Sequence, residues 1–114
     1  MIDQIDNDIV RKYPFLFGKC FEFSVCKGWY PLIDRLCSFI EKNEPETEIV
    51  QIKEKFGLLT FYVDGGSEYL YELIELAQIE SSKLCEECGS YQDVEKKGTF
   101  AIRTLCKDCK NKNE

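Results

Sequence analysis

Apolar residues recur at helical spacing from the start of the chain. Ile2, Ile5, Ile9 and Val10 share one face, so residues 2–12 are expected to form a first helix. Tyr13-Pro14 ends it, because the residue before a proline is pushed out of the helical region. Phe15-Leu16-Phe17 and Phe21-Glu22-Phe23 follow as an aromatic-rich connection or a short strand. Gly28-Trp29-Tyr30-Pro31 opens a second helix, with Pro31 in the first turn, where its missing N–H is not needed. Trp29, Leu32, Ile33, Leu36, Cys37 and Ile40 make one apolar stripe to about residue 42, and Asn43-Glu44-Pro45 closes it.

The period then shortens. Residues 48–55 (EIVQIKEK) and 58–63 (LLTFYV) read as strands, and Phe56-Gly57 between them predicts an antiparallel hairpin. Asp64-Gly65-Gly66-Ser67 is a turn, and Ser67 can cap a third helix running from Glu68 to about Lys83. Tyr69, Leu70, Leu73, Leu76, Ala77 and Leu84 are expected to supply its buried face.

That helix leads without a linker into Cys85-Glu86-Glu87-Cys88-Gly89, and 17 residues separate Cys88 from Cys106-Lys107-Asp108-Cys109. C-x2-C, a gap of this size and C-x2-C is a zinc-binding spacing. Two residues between thiolates let one tight turn aim both sulfurs at one ion, and two such turns close a tetrahedral cage. Gly89 permits the positive φ such a turn often requires. Thr99 to Leu105 is β-prone, Lys97-Gly98 supplies a break before it, and the segment reads as a zinc ribbon or a treble-clef-like arrangement. Two disulfides or a chance pairing are the alternatives. Four sulfur ligands leave no open position on the metal, which points to one structural zinc ion at Cys85, Cys88, Cys106 and Cys109 rather than a catalytic one. The pattern as a whole predicts an α+β fold: a small single domain of helices and a β-hairpin, with residues 1–84 as the core and residues 85–109 as a zinc ribbon docked on it.

Composition narrows the class. The 114 residues suffice for one domain, and 44% hydrophobic with 32% charged residues marks a globular chain rather than a disordered one. The net charge is −6, and four thiolates around one Zn2+ would take it to about −8. Such a field repels phosphate backbones, so nucleic acid is not the expected partner. The N-terminus has no basic segment followed by an apolar one, no run approaches a membrane span, and the seven cysteines are an odd number, so a cytoplasmic, reducing setting is expected. The chain holds no histidine, which removes Ser-His and Cys-His catalysis.

Several smaller features carry candidate chemistry. Glu68, Glu72 and Glu75 share one helix face, a solvated surface or an acidic one for a basic partner. Lys96, Lys97, Arg103, Lys107, Lys110 and Lys112 give the C-terminal end a local positive excess, ordinary surface or a phosphate contact. Lys53 and Lys55 share one strand face and, with Arg103, are the candidate ligand-binding residues for a small anion such as a nucleotide signal. Gln51-x-Lys53 is a faint match to a nuclease strand, but no carboxylate pair accompanies it. Cys37 is expected to be buried, and Cys26, near Lys19 or Lys27, is a candidate reactive thiol.

Four stretches occur together: Gly28-Trp29-x-x-Leu32-Ile33, Val50-Gln51-Ile52-Lys53-Glu54-Lys55-Phe56-Gly57-x-Leu59-x-Phe61-Tyr62-Val63, Cys85-x-x-Cys88-Gly89, and Ile102-Arg103-Thr104-Leu105-Cys106-x-x-Cys109. In order and wording they resemble a family of small uncharacterised proteins of bacteriophages and bacterial mobile regions, over residues 28–109. The resemblance implies no established activity. It implies a phage or mobile-element accessory factor in a host cytoplasm, and an arginine is common there where this chain has Thr60. The expected function is a non-enzymatic, zinc-stabilised binding protein that engages a host protein. The alternatives are a binder of a small anionic ligand and a phosphoesterase or nuclease-type hydrolase. A protein-binding role further predicts an exposed apolar patch that includes Tyr30, Phe56 or Tyr91.

Overall fold

The computed structural model describes residues 7–98 and 102–112. Asn7 opens α1 (Asp8–Lys12), its side-chain oxygen accepting from the Val10 N–H at 2.9 Å. The expected first helix therefore keeps its C-terminal half, with Ile9 buried and Val10 packed against the core, while Ile2 and Ile5 lie outside the described residues. A 3-10 turn over Pro14–Phe17 buries Leu16 and Phe17.

The aromatic connection contains a strand, β1 (Glu22–Ser24). It lies parallel to β2 (Glu48–Lys55), with Phe23 opposite Ile52. Parallel neighbours cannot be joined by a tight turn, and α2 (Tyr30–Asn43) supplies the crossover. The anticipated stripe holds throughout, with Trp29, Leu32, Ile33, Leu36, Cys37 and Ile40 all buried. β2 turns into antiparallel β3 (Leu58–Asp64), so the sheet order is β1-β2-β3. Phe56 and Gly57 both take positive φ, 55° and 80°, the twist a two-residue hairpin requires. Only the glycine adopts it without cost.

One irregularity sets the sheet's inner face. Ile49 pairs with Val63 and Gln51 with Tyr62, so Val50 is an extra residue in β2. The bulge lets Ile49 and Ile52, three positions apart, both point into the core beside Leu59 and Phe61. Gln51, Lys53 and Lys55 then share the opposite face with Thr60 and Tyr62.

Ser67 caps α3 (Glu68–Ser81) as expected, accepting from the Leu70 N–H at 3.1 Å. The buried face of this helix differs from the sequence reading. Leu70 and Leu84 are buried and Leu73 and Ala77 are half-buried, but Tyr69 and Leu76 are 58% and 60% exposed. The helix turns Leu70, Ile74, Ala77 and Ser81 inward instead. Ser81 is the reason: its Oγ accepts the buried Leu59 N–H of β3 at 3.0 Å, which locks the rotation of the helix against the sheet edge. Beyond it, β4 (Val94–Lys97), β5 (Arg103–Cys106) and α4 (Lys107–Lys112) complete an α+β fold with a C-terminal four-cysteine cluster. β5 forms the second half of the anticipated β-prone run, whose residues 99–101 lie outside the described ones. Among the described residues no helix is long and apolar enough to cross a membrane.

Candidate metal centre

Two local geometries bring the cysteines together. After α3, Cys85 begins a tight turn closed by Gly89 N–H donating to the Cys85 carbonyl at 2.8 Å and by Cys85 N–H donating to the Ser90 carbonyl at 2.9 Å. Gly89 takes φ 81°, as the turn requires. The second pair is not on a matching loop. Cys106 is the last residue of β5 and Cys109 lies in the opening turn of α4, where its N–H points at the Cys106 sulfur at 3.4 Å. Of the ribbon and treble-clef-like alternatives, this helix-borne second pair matches the latter.

All four Sγ atoms lie within 4.8 Å of one another, and Cys88 and Cys106 sulfurs are 3.6 Å apart. Metal–sulfur bonds of about 2.3 Å in a tetrahedron give sulfur–sulfur edges of about 3.8 Å. The cluster therefore fits a tetrahedral metal ion, and every one of the seven cysteines is a free thiol. Burial opposes ionisation of Cys85, but the backbone N–H groups of Cys106, Cys88 and Glu87 overcome it and bring the thiol to about 7. Burial and the neighbouring sulfurs push Cys109 up. Four thiolates at this spacing repel one another, and a divalent cation at their centre removes that repulsion.

The sequence reading missed Glu86, which ties the cluster together. Its buried carboxylate accepts the Thr104 N–H of β5 at 2.8 Å and Arg103 Nε at 3.3 Å. Burial raises its pKa, and Thr104 and Arg103 work in the other direction. Its backbone carbonyl accepts from Gly28 N–H at 2.9 Å. A Cβ on Gly28 would stand 2.2 Å from the Cys85 carbonyl oxygen, so no side chain fits there. Trp29 Nε1 donates to the Leu84 carbonyl at 3.2 Å, and Thr104 Oγ1 donates to the Gly57 carbonyl at 2.6 Å. The four sequence stretches singled out above thus meet at one place, around the cysteine turns. The available signal was a carboxylate inside one C-x2-C facing an arginine three residues before the other.

The remaining candidates are dispersed. Arg103 is held by Glu86 and, at 3.0 Å, by Glu87, so its charge is already countered. Lys53 sits in register with Ser24 and Thr60, and Lys55 borders a 310 Å3 groove with Tyr62, Tyr71, Glu75 and Gln78. Gln51 donates to Glu22 at 2.6 Å. Lys110 pairs with Glu95 at 3.5 Å. Glu68, Glu72 and Glu75 are exposed, as the helix periodicity implies. Cys37 is fully buried. Cys26 has Arg103 at 3.7 Å instead of Lys19 or Lys27, and partial burial raises its thiol pKa, contrary to what a reactive thiolate needs. Of the three aromatic residues expected at an exposed patch, Phe56 and Tyr91 are exposed and Tyr30 packs edge-on to Phe23.

No protein-family model matches the chain, and no curated protein or solved structure shows significant similarity to it. The phage-protein resemblance therefore gains no support from relatives.

Proposed function

We propose that the chain is a non-enzymatic binding protein whose four cysteines hold one structural zinc ion and whose surface engages a protein partner. The observation that carries the metal part is the close approach of four sulfurs within 4.8 Å, one pair on a tight turn and the other at the β5–α4 junction. A sulfur-only set favours zinc over magnesium or calcium, which prefer oxygen. With four protein ligands the ion has no position left for water or substrate, and its contribution is folding energy. Reduced thiols at this spacing suit a reducing compartment such as a cytoplasm. The phage or mobile-element setting enters this reading only through the resemblance of residues 28–109.

The test is native mass spectrometry on gently purified chain without chelator, followed by zinc removal. One zinc per chain supports the reading, and disulfide-paired or metal-free native protein overturns it. Trp29 reports the same event optically. It is fully buried and bonded to Leu84, beside Cys85. Chelation is expected to shift its emission to longer wavelength, reversibly on re-addition of zinc.

A further inference from the structure

The rotation of α3 that buries Ser81 leaves an apolar surface without a cover. A groove of about 160 Å3 runs between α2 and α3, lined by Leu32, Leu36, Leu73 and Ala77. Arg35 and Glu80 close one end with an ion pair at 3.4 Å. On the same side of α3, Tyr69 packs at a tilt of 49° on Phe39 with ring centroids 5.5 Å apart and remains mostly exposed, as does Leu76. Ile79 and Tyr91 continue the exposed apolar surface, and the Tyr91 hydroxyl reaches Glu80 at 3.2 Å.

Charge decides what fits. α3 carries Glu68, Glu72, Glu75 and Glu80 and not one lysine or arginine. A second copy of this chain would bring an equally acidic helix, and nucleic acid would bring phosphates, so both are repelled. A cavity of about 150 Å3 accommodates a benzene ring, so the groove has room for one leucine- or phenylalanine-sized side chain.

We infer that the α2/α3 groove is the docking site for a basic amphipathic helix of a partner protein. One bulky apolar anchor of that helix enters between Leu36 and Ala77, its neighbours cover Tyr69 and Leu76, and flanking lysines or arginines meet Glu68 and Glu72. This is the helix-in-groove mode, with the apolar contact giving affinity and the acidic rim giving orientation and speed of encounter. The inference rests on the protein-binding reading above and specifies its surface and partner chemistry.

The test uses the zinc-loaded full chain and two labelled 18-residue helical peptides with the same leucine stripe, one with lysine and one with glutamate at the other positions. Fluorescence anisotropy at near-physiological salt and amide chemical shifts of the labelled protein are read together. The expected result is saturable binding of the lysine helix only, with the largest shifts at Leu36, Leu73, Ala77 and Glu80. The E68K/E72K pair, on exposed positions, and A77F, which fills the groove, should each weaken binding at least tenfold. Equal binding of the glutamate helix, no saturable binding, or shifts centred on the hairpin at Phe56 would each overturn the groove assignment. The last of these would leave the protein-binding reading standing, whereas a metal-free native chain would strike at that reading instead.

Discussion

At Gly28 the core meets the first cysteine turn backbone to backbone, and a single methyl group tests that contact. In Gly28→Ala the new Cβ would lie 2.2 Å from the Cys85 carbonyl oxygen and 2.6 Å from the Glu86 carbonyl carbon and oxygen. These are backbone atoms of a turn whose sulfurs converge with those of Cys106 and Cys109 to within 4.8 Å, so they cannot retreat without breaking up that cluster. Overpacking of this kind costs about 1–3 kcal/mol. If the segments part, the Gly28 N–H loses its bond to Glu86, and a buried donor without an acceptor costs about 1–3 kcal/mol more. The sum, roughly 2–6 kcal/mol, is a large share of the ~5–15 kcal/mol that holds a domain together. Gly18→Ala is the matched control. Its φ is −58°, already helical, and nothing lies within 4 Å of the added Cβ. It should stabilise the chain by about 0.4–1 kcal/mol, through the unfolded state. Guanidinium unfolding of both zinc-loaded variants, followed by circular dichroism, reads the difference. A Gly28→Ala unfolding free energy within about 0.5 kcal/mol of the parent's would refute the argument that the turns are seated on the core at this point.

Three further outcomes follow from single contacts. Ser81→Ala should cost about 1–3 kcal/mol in urea unfolding, because the buried Leu59 N–H loses its acceptor, whereas Ser82→Ala, on the neighbouring half-exposed position, should stay within about 0.5 kcal/mol. Hydrogen bonds from Lys12 and Tyr13 lower the Asp34 pKa below its ordinary value, so its contribution is present at neutral pH and fades as pH falls through the folded value. Asp34→Asn should therefore lower the unfolding free energy in urea at pH 7 by less than about 1 kcal/mol, given solvent screening, and make no difference in acid below the carboxylate range. Phe56 holds a left-handed φ of 55° with its ring exposed, so Phe56→Asn should raise thermal stability by about 1 kcal/mol, and an unchanged or lower melting temperature would argue against strain at that turn.

Elements whose chemistry is local were legible in the sequence. The α2 stripe from Trp29 to Ile40, the Phe56-Gly57 hairpin, the Ser67 cap and the cysteine spacing each depend on residues close in the chain, and each has its expected place. What was not legible depends on long-range partners. β1 exists because β2, some 30 positions later, offers it a parallel edge, and three residues alone carry no such signal. The face of α3 was misjudged because a serine, apolar to no scale, decides it by bonding a strand 22 residues away. Val50 as a bulge is invisible in a run of β-prone residues. The cysteines announce a site, yet the carboxylate that organises it, Glu86, looks like any surface acid until Thr104 and Arg103 close over it.

The bonds from Gly28 N–H to Glu86, from Trp29 Nε1 to Leu84 and from Thr104 Oγ1 to Gly57 all join an early part of the chain to a late one. During synthesis the early partners emerge first and must wait. At about 5–20 residues per second, the interval between Gly57 and Cys109 is on the order of 3–10 s. Through that time one end of the nascent core lacks these late partners, and if the four cysteines hold the proposed ion, it closes only when the last cysteine arrives and metal is at hand. Zinc supply would then act at birth as well as at equilibrium: a ribosome working in a zinc-starved cell would release chains with an unsealed end, the form that quality-control proteases take first.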